Sequence, residues 1–131
     1  HSSTIVTEVR QPKVIAPAAQ NALFNTPYKY LMVKRESKRV FIDKDDGLVY
    51  FQFRKGSLKE NIMALLASTS AEMPVMKGIS DNHRVPSTIW VSGENVIAVL
   101  EAMLISYDDP YPIVADPYTN RIVEVLYNVK G

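Results

Sequence analysis

Between Phe53 and Ala67 the chain reads FRKGSLKENIMALLA, and between Val91 and Leu104 it reads VSGENVIAVLEAML. Each stretch ends an extended run, brings Ser and Gly together, places an acidic residue and starts an apolar repeat at helical spacing. This doubled pattern restricts the fold more than any other feature, because a one-sided helix launched from a strand has to lay its apolar stripe back on a sheet. In the first unit LVYFQF alternates Val49, Phe51 and Phe53 against Leu48, Tyr50 and Gln52, as a strand with one face in a core does. Gly56 ends it, and Ser57 stands three residues before Glu60 in the spacing of a capping box. Leu58, Ile62, Leu65, Leu66 and Thr69 then form one stripe, with Lys59, Glu60 and Asn61 expected to face water. In the second unit Ser92 is the expected cap, Glu94 falls where the helix dipole favours an acid, and Val96, Val99, Leu100, Met103, Leu104 and Tyr107 make the core stripe.

The flanking segments supply more strands. YKYLMVKR and KRVFID read as a hairpin turning at Glu36 and Ser37, and DKDDG is a turn closing on Gly47. MPVMKGI is a short strand interrupted by Pro74, and SDNHRVPS is a polar connection into TIWV. DDPYP ends the second helix, after which YPIVA, the turn DPYTN and the alternating RIVEVLYNV form a closing hairpin. From Leu48 the expected order is β-α-β-β-α-β-β, an α+β fold in which both helices pack on one face of a small mixed sheet, preceded by a hairpin and an extended N-terminal arm. The arm, residues 1–27, carries Pro12, Pro17 and Pro27 and no sustained period, and residues 28–131 make a single domain. Ile5, Val6, Val9, Val14 and Ile15 are more apolar than a free linker requires, which marks them as candidates for docking on the domain or on a partner.

Composition closes off several functions. Apolar residues at 47% and charged residues at 22% suit a water-soluble domain, and no apolar run approaches the roughly 20 residues of a membrane-spanning helix. A formal charge of +1 lacks the whole-molecule field that draws proteins to phosphate backbones. Without Cys there is no disulfide, no thiolate nucleophile and no Cys-based zinc site. The chain opens on His1, Ser2 and Ser3 without Met, as a mature or a recombinant chain does, and any export signal or lipid anchor is expected to have been cut away.

The motifs that carry chemistry are missing or misplaced. Counted from Asp43 as a calcium loop, Gly47 falls at the fifth position and Arg54 stands where a bidentate Glu is needed, so a hairpin turn is the better account. His1 and His83 have no second His at metal-ligand spacing, and His83 with Asp81 and a serine defines no triad without a nucleophile elbow. No Gly-rich phosphate cradle occurs. The sequence therefore predicts no enzyme, no cofactor and no metal. Phe51 and Phe53 share a face with Val49 before a capped helix, which favours core packing over the base stacking of a sheet-platform nucleic-acid binder. Trp90 faces opposite Ile89 and Val91; it either packs on the Tyr28–Ile42 hairpin or the arm, or anchors a protein interface.

The segment from Leu48 to Tyr127 resembles the small domain at the periplasmic end of secretins, which is shared with the short signalling domain of TonB-dependent receptors. The residues that carry the likeness are VYFQFRKGSLKENIMALLA, STIWVSGENVIAVLEAML and YPIVADPYTNRIVEV. As a free-standing chain it resembles the toxin-coregulated pilus biosynthesis protein Q family and related partners of type IVb pilus secretins, and the small lipoprotein of the type IVb secretion outer-membrane ring. The resemblance implies a non-enzymatic periplasmic component, associated with the outer membrane, that binds a secretin or similar ring and supports its assembly, with self-association in a ring and no nucleic acid. The lipoproteins' anchoring Cys has no counterpart here. A signalling or receptor interaction domain of the same fold is the second reading, and a single-strand nucleic-acid binder the third. Exposed strand edges would give the mechanism, a partner segment adding a strand by main-chain hydrogen bonds. The candidate edges are the strand from Arg121 to Tyr127 with Arg121, Glu124 and Leu126, the strand around Trp90, and the Tyr30–Ile42 hairpin.

Overall fold

Alternation at LVYFQF and helical spacing after Ser57 and Gly93 become regular structure in the computed structural model, which describes residues 13–15 and 28–130. Its strands are β1 (Lys13–Ile15), β2 (Val40–Ile42), β3 (Val49–Phe53), β4 (Gly56–Ser57), β5 (Val75–Lys77), β6 (Arg84–Val85), β7 (Ile89–Gly93), β8 (Ile113–Pro117) and β9 (Val123–Tyr127). Helix α1 spans Leu58–Ala67 and α2 spans Val96–Leu104. The class is α+β.

The strands fall into three small sheets. The first has the order β1-β7-β3-β2, with β1 parallel to β7 and the other pairs antiparallel. The second has the order β5-β9-β8, with β5 parallel to β9, and β4 and β6 form a two-residue clip. Helix α2 packs on β3 and β7 of the first sheet and on β8 of the second. That placement corrects the expectation of one sheet with both helices on one face. Ile97, Ala98 and Ala102, off the stripe read from sequence, are as buried as Val96, Val99, Leu100, Met103 and Leu104. A helix apolar around nearly its whole circumference belongs between two layers. The core joins Phe51, Phe53 and Val91 of the first sheet, Ile113, Val123 and Val125 of the second, and Leu58, Ile62, Leu65 and Leu66 of α1.

Three local expectations change. Residues 28–39 hold no strand; Lys29–Leu31 is a 3-10 turn whose Tyr30 and Leu31 are buried. The main chain there pairs with the end of α1 instead, through Lys34 N–H to Ser68 O at 2.6 Å and Ser70 N–H to Tyr30 O at 2.9 Å. The cap of α2 is Asn95, whose Oδ1 accepts from Ala98 N–H at 2.8 Å, while Ser92 lies inside β7 and Glu94 precedes the cap. Asn offers its side-chain oxygen at a cap as readily as Ser does. Asn61 does not face water; it is 4% exposed, and its amide is taken up entirely by main-chain groups and Arg39.

The first cap stands where its spacing places it. Ser57 Oγ accepts from Glu60 N–H at 3.2 Å, and the Glu60 carboxylate has no return bond among the described residues. The DKDDG turn closes on Gly47 at φ 73°, a value that Gly adopts without strain, with Gly47 N–H bonded to Asp43 O at 2.8 Å.

Candidate functional site: strand edges and exposed faces

Main-chain pairing decides which edges a partner strand could use. Gln52 N–H donates to Arg39 O and Asp43 N–H to Leu48 O, so residues 39, 41 and 43 turn toward β3 while Val40 and Ile42 turn outward. Those outward groups are already engaged. Ser37 N–H donates to Val40 O at 2.7 Å, Ser37 Oγ accepts from Val40 N–H at 3.3 Å, and Glu36 Oε1 accepts from Ile42 N–H at 3.3 Å. The expected hairpin edge is thus closed by the chain's own Glu36 and Ser37.

The strand around Trp90 has a neighbour on each side. It pairs with β3 through Phe51↔Val91 and Gln52↔Trp90, and on the other side with β1 through Lys13↔Trp90, Val14↔Val91 and Ile15↔Ser92. Val14 and Ile15, two of the arm's candidate residues, therefore lie on a strand that completes this edge. Ile5, Val6 and Val9 lie outside the described residues. Trp90 is 8% exposed, its ring 5.5 Å from Phe41, and Phe41 in turn stacks on Tyr50 at 5.4 Å. This aromatic group sits on the opposite face of the first sheet from Phe51 and Val91.

The segment expected as an edge from Arg121 to Tyr127 is the centre of the second sheet, flanked by β5 and β8. Its pairing with both corrects that choice of edge. Arg121 precedes the strand, at φ 73°, and its guanidinium donates to Ser70 O from Nε at 3.0 Å and from Nη2 at 2.7 Å, with Glu72 3.5 Å away. It ties the last hairpin to the end of α1. Glu124 and Leu126 lie on the solvent side of the sheet in register with Val75 and Lys77 of β5 and with Asp116 and Val114 of β8. Glu124 accepts from Tyr118 O–H at 2.7 Å and lies 3.6 Å from Lys77 Nζ. That hydrogen bond pushes the Tyr118 phenol up to about 12.

The rims of the second sheet are obstructed by proline. Along β8, Ile113 and Ala115 point outward with Pro117; Ile113 N–H is bonded to Tyr107 O at 3.2 Å and Pro117 has no N–H, which leaves Ala115. Pro74 immediately precedes β5, whose Val75 is exposed beside Met73. Prolines at such positions deter edge-to-edge pairing.

His83 and Asp81 do not converge. Asp81 pairs with Lys59 Nζ at 2.8 Å, which holds its carboxyl below the usual carboxylate range, whereas His83 Nε2 lies 2.7 Å from Tyr127 Oη. No group of three or more His, Asp or Glu among the described residues is placed to hold a metal ion, and no helix among them is long and apolar enough to cross a membrane. A groove of about 220 Å3 runs between Tyr28–Val33 and the start of α2, lined by Leu31, Ile42, Val49, Val96 and Ile97 with Glu94. The Glu36–Ser37 edge closure and the Asn61 network were not read from the sequence. Both depend on pairing between segments, and only the turn at Glu36 and Ser37 had a local signal.

No protein-family model, curated protein or solved structure matches this chain.

Proposed function

We propose that the chain is a non-enzymatic interaction module of the periplasm, associated with the outer membrane, that binds a secretin or similar outer-membrane ring and supports assembly of a type IVb pilus or secretion system. The resemblance of residues 48–127 to the secretin periplasmic domain supplies the identity of the partner. The observation that carries the mechanism is the parallel pairing of Lys13–Ile15 with Trp90–Ser92. An edge that takes an extended strand from outside the two strand-helix units recognises its occupant through main-chain hydrogen bonds, and an extended segment of the ring protein pairs there in place of β1. The other edges suit this less well, being closed by Glu36 and Ser37 or flanked by Pro74 and Pro117.

The test is recovery from solubilised membranes of the source cell on the tagged chain, with and without the residues before Pro27, and identification of what is retained by mass spectrometry. A large outer-membrane multimer retained by the intact chain is the expected result. Its loss on truncation assigns the contact to the arm, and stronger retention assigns it to the β7 edge. Retention of soluble proteins or nucleic acid alone overturns the reading.

A further inference from the structure

Arg39, just before β2, and Arg54, just after β3, converge at one end of the first sheet. Arg39 Nε donates to Gln52 O at 2.7 Å and its Nη2 to Asn61 Oδ1 at 2.6 Å. Arg54 Nε donates to Gln52 Oε1 at 3.2 Å, and its main-chain N–H goes to the same Asn61 Oδ1 at 2.7 Å. Asn61 is fixed in turn, because its Nδ2 donates to Arg54 O and Ser57 O, each at 2.8 Å. The Arg39 guanidinium also lies 4.7 Å from the centre of the Phe51 ring. Both forks are thus anchored by part of their donor sets. A guanidinium carries five N–H donors, so most of the donors on this pair have no partner among the described residues.

Among the described residues the charge has no ion-pair partner. The ion pairs among the described residues, Lys59–Asp81, Lys77–Glu124 and Arg121–Glu72, involve neither arginine. Glu36, the acid nearest Arg39 in sequence, is turned to Ile42 N–H. Lys38 and Lys55, exposed next to each arginine in sequence, add to the positive side. Burial, and then the charge of Arg54, hold the Arg39 guanidinium below its ordinary value, as two cations sharing one site require. Pre-positioned guanidinium forks without a carboxylate are what planar or tetrahedral oxyanions bind in bidentate fashion.

We propose that Arg39 and Arg54, held by Asn61 and Gln52, form a binding site for an oxyanion, either a carboxylate or a phosphate group. The site goes beyond the ring-binding reading and does not depend on it. Its test is an NMR titration of the 15N-labelled full chain that follows the arginine Nε–Hε signals. Inorganic phosphate and acetate are the two probes, with sodium chloride holding ionic strength constant. Saturable shifts at Arg39 and Arg54 are expected, while Arg35 and Arg121, whose guanidinium groups sit on the carbonyls of Ala67 and Ser70, stay in place. Saturation by phosphate alone assigns a phosphate ligand, and saturation by acetate as well assigns a carboxylate. Arg54→Gln, an exposed change that leaves the main-chain bonds to Asn61 intact, is expected to weaken binding at least about tenfold, as loss of a charged hydrogen-bond donor set does. Linear shifts, equal shifts at Arg35 and Arg121, or binding unchanged by Arg54→Gln overturn the site.

Discussion

Aligned on their caps, Ser57 and Asn95, the two strand-to-helix units set Lys59 and Glu60 of α1 against Ile97 and Ala98 of α2, and Asn61 against Val99. Lys59 is half-buried and Glu60 exposed, whereas Ile97, Ala98 and Val99 are buried. The difference follows from position in the layers. Helix α2 has a sheet on either side, while α1 keeps a face toward water and uses a buried amide to organise the loop in front of it. The same local pattern, capped helix after strand, therefore serves two packing environments, and only the residues off the main stripe report which is which.

Exchanging those residues tests the comparison most severely. Ile97→Lys forces an ammonium group into a position that is fully buried, and a loss of about 3–5 kcal/mol is expected, a large share of the stability of a domain of this size. The reverse change, Lys59→Ile, puts an apolar group on a half-buried position at the cost of the exposed Asp81 pair, and should shift stability by less than about 1 kcal/mol. Urea unfolding of both variants measures the contrast. Equal effects would mean that α2 is not enclosed.

Asn61→Val copies the α2 residue into α1. It removes the amide that satisfies Arg54 N–H, Arg54 O and Ser57 O and anchors Arg39, and those groups are left without that partner. A loss of about 2–3 kcal/mol is expected from unmet buried polar groups, despite the better apolar match of Val. A neutral result would show that water reaches this end of the sheet. Hydrogen exchange at the Arg54 amide checks the cause.

The caps come next. Ser57→Ala and Asn95→Ala should each cost about 1 kcal/mol, since each removes one side-chain oxygen from one first-turn N–H. Their near equality is the point: the cap is a local device, indifferent to whether the helix behind it is enclosed. Ser92→Ala, by contrast, removes a buried hydroxyl with no hydrogen-bond partner among the described residues, and is expected to leave the Asn95 cap of α2 intact and the protein no less stable.

These cases show why part of the molecule was legible before its structure. Ser57 and the alternation of Val49, Phe51 and Phe53 are short-range signals, and so are the stripes of α1 and α2; each depends on neighbours within one turn or along one strand. Asn95 carries no stronger local signal than Ser92, a residue equally suited to a cap three positions earlier. Tyr28–Val33 alternates well enough for a strand, but Tyr30 and Leu31 are drawn into the core beside the end of α1, and the main chain pairs with Ser68 and Ser70 there. Whether the segment before Tyr127 is central or peripheral depends on β5 and β8 joining it from distant positions, which no local pattern records. For the candidate site, the apolar residues Val14 and Ile15 pointed to the arm, yet their partner strand and the closure of β2 by Glu36 and Ser37 are matters of tertiary pairing.

The smallest effect belongs to the Lys59–Asp81 ion pair of α1. Lys59, through its hydrogen bond first and its charge second, lowers the Asp81 carboxyl in the folded protein. A depressed carboxyl contributes stability above its unfolded value and loses it as pH falls through the lower, folded value, so the contribution is present at neutral pH and disappears in acid. Because Asp81 is exposed, water and salt screen it. Asp81→Asn should therefore lower the melting temperature slightly at neutral pH and low salt, with no difference from the parent chain either in strong acid or at high salt. A difference that survives high salt would place Asp81 in a drier setting than α1 provides, and would remove the contrast between a helix with a wet face and one enclosed by sheets.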